Sequence, residues 1–195
     1  MRYVKLNDLV DIISGQIMTR VKVNDSTDQF AEERRIIVPK AITDNGLIDL
    51  DQLSTEKLKV AADEKRLTQV GDIVIKLNSP YTSATITKET ANCMVPSFCA
   101  TIRLYNNLVI EPSYLQAFLN SASFRNQIEN MVQGSMLTML HVGKLRDVDV
   151  PVPDKLVQDS IGKEYRNTQY KLSLINEIEK LEKMKNDAIF YELEG

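Results

Sequence analysis

Ile161-Gly162-Lys163-Glu164-Tyr165-Arg166-Asn167-Thr168-Gln169-Tyr170-Lys171-Leu172-Ser173-Leu174-Ile175-Asn176-Glu177-Ile178-Glu179-Lys180-Leu181-Glu182-Lys183-Met184 is the core of a run from Leu156 to Glu194 that has no proline and, after Gly162, no glycine before Gly195. Apolar residues recur in it at helical spacing, at Ile161, Tyr165, Leu172, Ile175, Ile178, Leu181, Met184 and Ala188, while Lys163, Glu164, Arg166, Lys171, Glu177, Lys180, Lys183 and Asp187 fall elsewhere on the cylinder. A continuous helix of about 36 residues reaches roughly 54 Å, more than a compact domain of this size covers. The seam starts with heptad-like steps and then drifts around the helix, the pattern of an imperfect coiled coil. The spacing therefore predicts that Ile161, Tyr165, Leu172, Ile175, Ile178 and Leu181 face a second helix. The competing expectations are a helix packed on its own domain and a solvated charged terminus.

The remaining chain is long enough for one domain, residues 1–153, ahead of the helical segment 154–195. No apolar run is long enough to span a bilayer, and the opening Met1-Arg2-Tyr3-Val4-Lys5-Leu6 lacks the apolar core of a signal peptide, so a cytoplasmic protein without membrane contact is expected. Cys93 and Cys99 are too few for a disulfide framework, and with His141 as the only histidine they make no zinc pattern; Cys99 is expected in the core. The formal charge is −3, with 17 Lys+Arg against 18 Asp+Glu in residues 1–153 and 7 against 9 in 154–195. Neither part has the basic excess of a non-specific nucleic-acid binder, so any DNA contact has to come from a local patch or a more basic partner.

Along the chain, Tyr3 to Leu6 reads as a short strand and Asn7 as the N-cap of a helix from Asp8 to Ile13, ended by Ser14-Gly15. Gln16 to Lys22 reads as a loop into a strand, with Arg20 and Lys22 as long-reach donors suited to phosphate or guanine. Arg34 to Pro39 reads as a strand stopped by proline, and 51–69 as a charged, helix-tolerant segment without clear periodicity. Gly71 to Leu77 is the clearest strand. It runs into Asn78-Ser79-Pro80-Tyr81-Thr82-Ser83, turn-forming residues that suit either a solvated loop or one that reads bases. Ala84 to Thr87 and Ser97 to Leu104 continue the β pattern, the latter with Phe98, Ala100, Ile102 and Leu104 on one face and Ser97, Cys99, Thr101 and Arg103 on the other. Helices follow from Pro112 and over Ser123 to Val132, then a polar loop from Gln133 to His141. Leu145 to Pro153 alternates as a strand closed by prolines.

Catalytic signatures are missing: there is no glycine-rich phosphate loop, G-x-S-x-G, H-E-x-x-H, methyl-donor glycine motif, Asn-Pro-Pro-aromatic tetrapeptide or Glu-x-Lys nuclease pattern. His141 has no partner constellation in the sequence that would make it a catalytic base. No cofactor or metal site is expected.

The motif order resembles the specificity (S) subunit of type I restriction–modification systems, in a half-length form with one target recognition domain and one spacer helix. Val4-Lys5-Leu6-Asn7-Asp8-Leu9-Val10-Asp11-Ile12-Ile13-Ser14-Gly15 is similar to that family's K-L-G-D-I…I-x-S-G start, and Leu67-Thr68-Gln69-Val70-Gly71-Asp72-Ile73-Val74-Ile75 to its L-x-x-G-D-I-L-I. Tyr114-Leu115, Phe118-Leu119-Asn120-Ser121, Gly134-Ser135 and Leu145…Val148-Asp149-Val150-Pro151-Val152-Pro153 resemble its Y-L…L-x-S…G-S/T…L-x-x-I-x-I-P-L-P. After the prolines, Asp154 to Ile161 keeps Gln158 and Ile161 but not the motif's second proline or its glutamate; Asn7 replaces the usual glycine, and the common glycine after Leu77 is missing.

The resemblance implies an α/β target recognition domain followed by a long coiled-coil helix, a non-catalytic subunit that reads double-stranded DNA, and partners that methylate and restrict it. One recognition domain and one helix imply a homodimer. Antiparallel helices then hold two readers ~50 Å apart, one to two duplex turns of ~34 Å, over a bipartite inverted repeat. Base reading would fall to the loops around Arg20 and Lys22, Lys76 to Ser83 (Lys76, Asn78, Ser79, Tyr81 and Thr82) and Gly134 to His141 (Ser135, Thr138 and His141). A coiled-coil interaction or scaffold protein is the alternative, with an enzyme third.

Overall fold

The computed structural model describes residues 2–23, 29–105, 110–132 and 139–194, with side chains described as far as Ile189. Its centre is a four-stranded antiparallel sheet of order β2 (Val10–Ser14), β7 (Cys99–Leu104), β5 (Ile73–Lys76), β6 (Ser83–Thr85). In register, Ile12 pairs with Ile102 and Ser14 with Ala100, while Val74 pairs with Thr101 and with Ala84. Both faces of this sheet are covered. One carries Val10, Ile12, Ile73, Ile75, Ala100 and Ile102 against the helices α2 (Pro112–Leu119) and α3 (Ala122–Val132), through Leu115, Leu119, Phe124 and Ile128. The other carries Val74, Ala84 and Cys99 against Ile37, Ile42, Ile86 and Val95. A third cluster, Ile36, Leu58, Leu67 and Met94, sits under the hairpin of β3 (Glu32–Ile36) and β4 (Ser54–Leu58). A two-stranded ribbon of β1 (Arg2–Lys5) and β8 (Asp149–Val152) brings the N-terminus beside the start of the long helix α5 (Lys155–Glu194).

Several sequence expectations change. The expected helix from Asp8 to Ile13 is a 3₁₀ turn, Leu6–Asp8, and then strand β2. The β-branched Val10, Ile12 and Ile13 suit a pleated strand, and pairing with the buried β7 outweighs the Asn7 cap signal. Residues 51–69 contain β4, whose strand character is masked by its charges: Glu56 and Lys57, opposite Arg34 and Glu33 in register, stand where alternating apolar residues would have shown, and Glu56 pairs with Lys22. The loop expected before Lys22 contains the short helix α1 (Met18–Val21), and Leu145 belongs to α4 (Val142–Arg146) rather than to a strand reaching Pro153. The one-face pattern for 97–104 also fails. Cys99, Ala100, Thr101 and Ile102 are all buried because β7 is central in a sheet covered on both sides.

Asp72, almost wholly buried, is held in a bidentate pair by Arg103, with Nη2–Oδ2 2.7 Å and Nε–Oδ1 2.9 Å. The same guanidinium donates to the carbonyls of Lys65 and Leu67, which ties the segment before β5 to β7. Cys99 is in the core as expected, and burial pushes its thiol up to about 12; burial raises the Cys93 thiol as well. Both thiols should therefore resist iodoacetamide at pH 8 in the folded protein and react once urea unfolds it. Labelling of Cys99 in native protein at a free thiol's rate, read by mass spectrometry, would contradict this burial.

The helix α5 is continuous over 40 residues, about 60 Å of rise. One of its sides is bound to its own domain. Gln158, Gly162 and Gln169 are buried there and Tyr165 and Leu172 partly so, and Lys180 reaches Asp51 at 3.4 Å. The bonds are polar and specific. Gln158 accepts from the Glu111 amide (2.8 Å) and donates to the Pro153 carbonyl (2.9 Å), Asn120 Nδ2 lies 2.5 Å from the Tyr165 hydroxyl, and Gln169 Nε2 donates to the Gly46 carbonyl (2.7 Å). Gly162 makes the close approach possible, since a Cβ there would stand 2.3 Å from Glu111 Oε2 and 3.1 Å from the Tyr114 amide nitrogen. A helical glycine costs about 1 kcal/mol, offset here by letting α5 lie against the start of α2.

The predicted helix stripe is thus divided between two faces. Tyr165 and Leu172 turn towards their own domain, while Ile161, Ile175, Ile178 and Leu181 remain exposed, with Leu174, Met184 and Ile189 exposed as well. Leu174, Ile178, Leu181 and Ala188 fall at steps of four, three and seven on the side away from the domain.

Candidate nucleic-acid interface

β2 and β5 run parallel to each other, both antiparallel to the β7 between them, so their C-terminal ends share one end of the sheet with the start of β7. That geometry collects segments far apart in sequence. The Gly15 amide donates to the Cys99 carbonyl (3.2 Å), Gln16 to Val95 (2.7 Å) and Ser97 to Gln16 (2.8 Å), joining the chain after β2 to the turn before β7. The Leu77 amide donates to the Phe98 carbonyl (2.9 Å) and the Leu140 amide to the Leu77 carbonyl (2.6 Å). Four segments are therefore laced side by side into one edge: Gln16, then Ser97 and Phe98, then Leu77 and Asn78, then Leu140 and His141.

This edge holds the Lys76 to Ser83 region and the Leu140–His141 end of the Gly134 to His141 region, and Gln16 leads from it into the segment of Arg20 and Lys22. Arg20 is exposed in the last turn of α1 and has no side-chain ion pair among the described residues. Lys22 is paired with Glu56 at 2.6 Å, while the amides of Val23 and Lys59 bond across to Lys57 and Val21, so this segment is docked on the β3–β4 hairpin. Lys76 ends β5 half-buried, and its amide donates to the Thr82 carbonyl at 2.9 Å. Asn78 and Ser79 are exposed on a turn closed by the Tyr81 amide donating to the Asn78 carbonyl (2.8 Å), with a cis Ser79–Pro80 bond. His141 is exposed at the N-cap of α4 and makes no side-chain cap bond. Ser135 and Thr138 lie outside the described residues.

Two of the loop residues are placed otherwise than expected. Tyr81, at φ 60°, sends its ring into the main core, where it is only 8% exposed, and Thr82 is buried beside it. The ring serves as an inner anchor that holds the Asn78 turn, so the outward groups of this loop are Asn78, Ser79 and Pro80. Conversely, Phe98, which the alternation puts on one face with Ala100, Ile102 and Leu104, is 60% exposed, at the centre of the edge. The signal for that was Pro96-Ser97, a turn-forming pair just before it: the Cys99 amide donates to the Pro96 carbonyl (2.8 Å), so Phe98 is a turn residue and β7 begins after it.

Chemically, the edge offers hydrogen-bonding side chains, two cations and an apolar ring on a backbone fixed by main-chain bonds. Among the described residues no group of three His, Cys, Asp or Glu is arranged to hold a metal ion, and no helix is long and apolar enough to cross a membrane.

Comparison of the sequence with protein-family models and with curated proteins gives no match. Solved structures do match. One is a chain from a structure of the type I R-M system that addresses complex assembly and conformational transition, with TM-score 0.61, 16% identity, and coverage of 96% of this chain and 45% of that one. The HsdS subunit from Thermoanaerobacter tengcongensis gives TM-score 0.57 and 17% identity over 91% of this chain and 39% of its own. The type I restriction-modification S subunit from M. genitalium gives 0.51 and 12% over 90% and 39%. The fold, a mixed α/β domain followed by a long helix, is therefore that of the type I specificity subunits, and the chain spans less than half the length of those it matches.

Proposed function

We propose that this chain is the non-catalytic DNA specificity subunit of a type I restriction–modification complex, with residues 1–153 as the target recognition domain and 154–195 as the spacer helix. The observation that supports the proposal is the laced edge, which joins the segments carrying Lys76, Asn78, Ser79 and His141 to Gln16, four residues before Arg20, on a fold shared with specificity subunits. Arg20 and Lys76 serve as phosphate contacts that set position, and Asn78, Ser79 and His141 as hydrogen-bonding groups for base edges. Methyltransferase subunits, and a restriction subunit with them, supply the chemistry and the non-specific DNA affinity that a chain of net charge −3 lacks. The exposed face of α5 pairs antiparallel with that of a second copy, so the target is a bipartite inverted repeat with an unread spacer. Cytoplasmic location follows from this role.

The test is to map modified bases in host DNA with and without the chain, co-expressed with a type I modification subunit. One bipartite motif that depends on the chain is the expected result, and Asn78→Ala should alter it at few positions. Arg20→Ala should instead weaken duplex binding evenly across sequences and lower the salt slope by about one. Modification that shows no motif, or the same motif without the chain, would defeat the proposal.

A further inference from the structure

Phe98 is the one aromatic ring standing outward among the residues that lace this edge. An isolated surface phenylalanine carries no meaning by itself, since apolar atoms make up more than half of most protein surfaces. Here the placement is specific. The ring rides on the Pro96–Cys99 turn, bonded on one flank to Gln16 through the Ser97 amide and on the other to Leu77 through its own carbonyl. Ile17, next to Gln16, is also exposed, at 44%. Gly15 allows the two segments to close up, because a Cβ there would lie 2.0 Å from the Pro96 carbonyl oxygen. Two exposed apolar residues on neighbouring, main-chain-bonded segments thus share a surface with Asn78, Ser79 and His141; Arg20, whose amide bonds to the Ile17 carbonyl, and Lys76 at the end of β5 have no ion pair among the described residues.

On a duplex, phosphates and polar base edges give such a pair nothing to bond. The apolar group a major groove presents is the C5-methyl of thymine, with which phenylalanine and small apolar side chains make contact. We propose that Phe98, with Ile17 beside it, is an apolar specificity contact that selects thymine at one or two positions of the target by touching its methyl group; this rests on the DNA-reading function proposed above.

The experiment selects duplexes from a randomised pool with the purified chain plus a type I modification subunit, comparing wild type, Phe98→Ala, Phe98→Leu and Ile17→Ala, each first checked for an unchanged thermal melt. Wild type should select thymine at a fixed position. Replacing that thymine by uracil should weaken wild-type binding roughly three- to tenfold, the worth of a buried methyl and some packing. Phe98→Ala should lose the same factor on the thymine duplex and show no further loss with uracil, while Phe98→Leu should keep part of the discrimination. A thymine preference that Phe98→Ala leaves intact, or a uracil penalty that persists in that variant, overturns the methyl contact alone. If wild type selects no sequence, the DNA-reading function falls and the contact with it.

Discussion

Gly15→Ala should be among the most damaging single substitutions in the protein, although it adds only a methyl group. Its Cβ would stand 2.0 Å from the Pro96 carbonyl oxygen, 2.4 Å from the Pro96 carbonyl carbon and 2.7 Å from the Cys99 carbonyl oxygen. All three obstacles are main chain, so no rotamer change relieves them. The end of β2 has to part from the turn before β7, and with it go the bonds from Gly15 to Cys99, Gln16 to Val95 and Ser97 to Gln16. Overpacking and lost hydrogen bonds together suggest about 3 kcal/mol of destabilisation, or a fall of roughly 6–12 °C in melting temperature for a chain of this length. Gly143→Ala is the control. Gly143 lies inside α4 with nothing near its would-be Cβ, so that variant should be neutral or slightly more stable. Urea and thermal unfolding of the two variants decide the matter, and a Gly15→Ala protein that melts within a degree of wild type would mean the close approach is not there. Because the same three bonds present Phe98 and Ile17, a partly folded Gly15→Ala protein should also lose sequence preference before it loses compactness.

Gly15 shows what could and could not be seen in the amino-acid order. Its value as a punctuation mark is legible, but Asn7 reads as a cap and so points to a helix where strand β2 lies. The β-branched Val10, Ile12 and Ile13 were the contrary signal, and their pairing with β7, some ninety residues away in sequence, decided the outcome. The hairpin of β3 and β4 is half visible for a similar reason: Arg34 to Ile36 reads as a strand, but Ser54 to Leu58 carries Glu56 and Lys57, and Glu56 serves to pair with Lys22 rather than to fill a core. The long helix was legible because periodicity over so many residues is hard to mistake. Which of its faces meets the domain was not, since Gln158, Tyr165 and Gln169 are polar or amphipathic groups that become buried only by finding partners in Glu111, Asn120 and Gly46. In the candidate interface, Arg20, Asn78, Ser79 and His141 are legible from residue type and turn chemistry. That Asn78, Ser79 and His141 come to lie beside Gln16 follows from β2 and β5 pointing the same way, which a sequence does not state. Tyr81 and Phe98 exchanged places for a local reason. The positive φ at Tyr81 turns one ring inward, and the turn starting at Pro96 leaves the other outside.

The largest effect on assembly should come from charges placed on the exposed face of α5. In Ile178→Glu/Leu181→Glu, both altered residues are more than half exposed in the single chain, so the domain should fold and melt as before. If this face is a helix-pairing seam, each glutamate has to be desolvated against an apolar partner, and self-association should weaken by at least roughly a hundredfold, the factor lost when two central interface residues fail. Sedimentation equilibrium of wild type and variant measures it. Tyr165→Phe with Gln169→Ala makes the opposite comparison. Those side chains bond to Asn120 and Gly46 within the same chain, so their loss should lower the unfolding free energy by about 2 kcal/mol and leave the pairing constant untouched. The direction of pairing can be read separately, because Cys93 and Cys99 are buried and will not interfere with cysteines introduced on α5. Leu174 and Ala188 are fourteen positions apart, about 21 Å along the helix. In a parallel pair, Leu174→Cys and Ala188→Cys, two heptads apart on the exposed seam, each face their own copy and both should form disulfide-linked dimers. In an antiparallel pair only a position at the twofold axis meets itself, so at most one should cross-link. Efficient self-linkage at both would place the two recognition domains at the same end of the rod, and two readers so placed could not span a bipartite site.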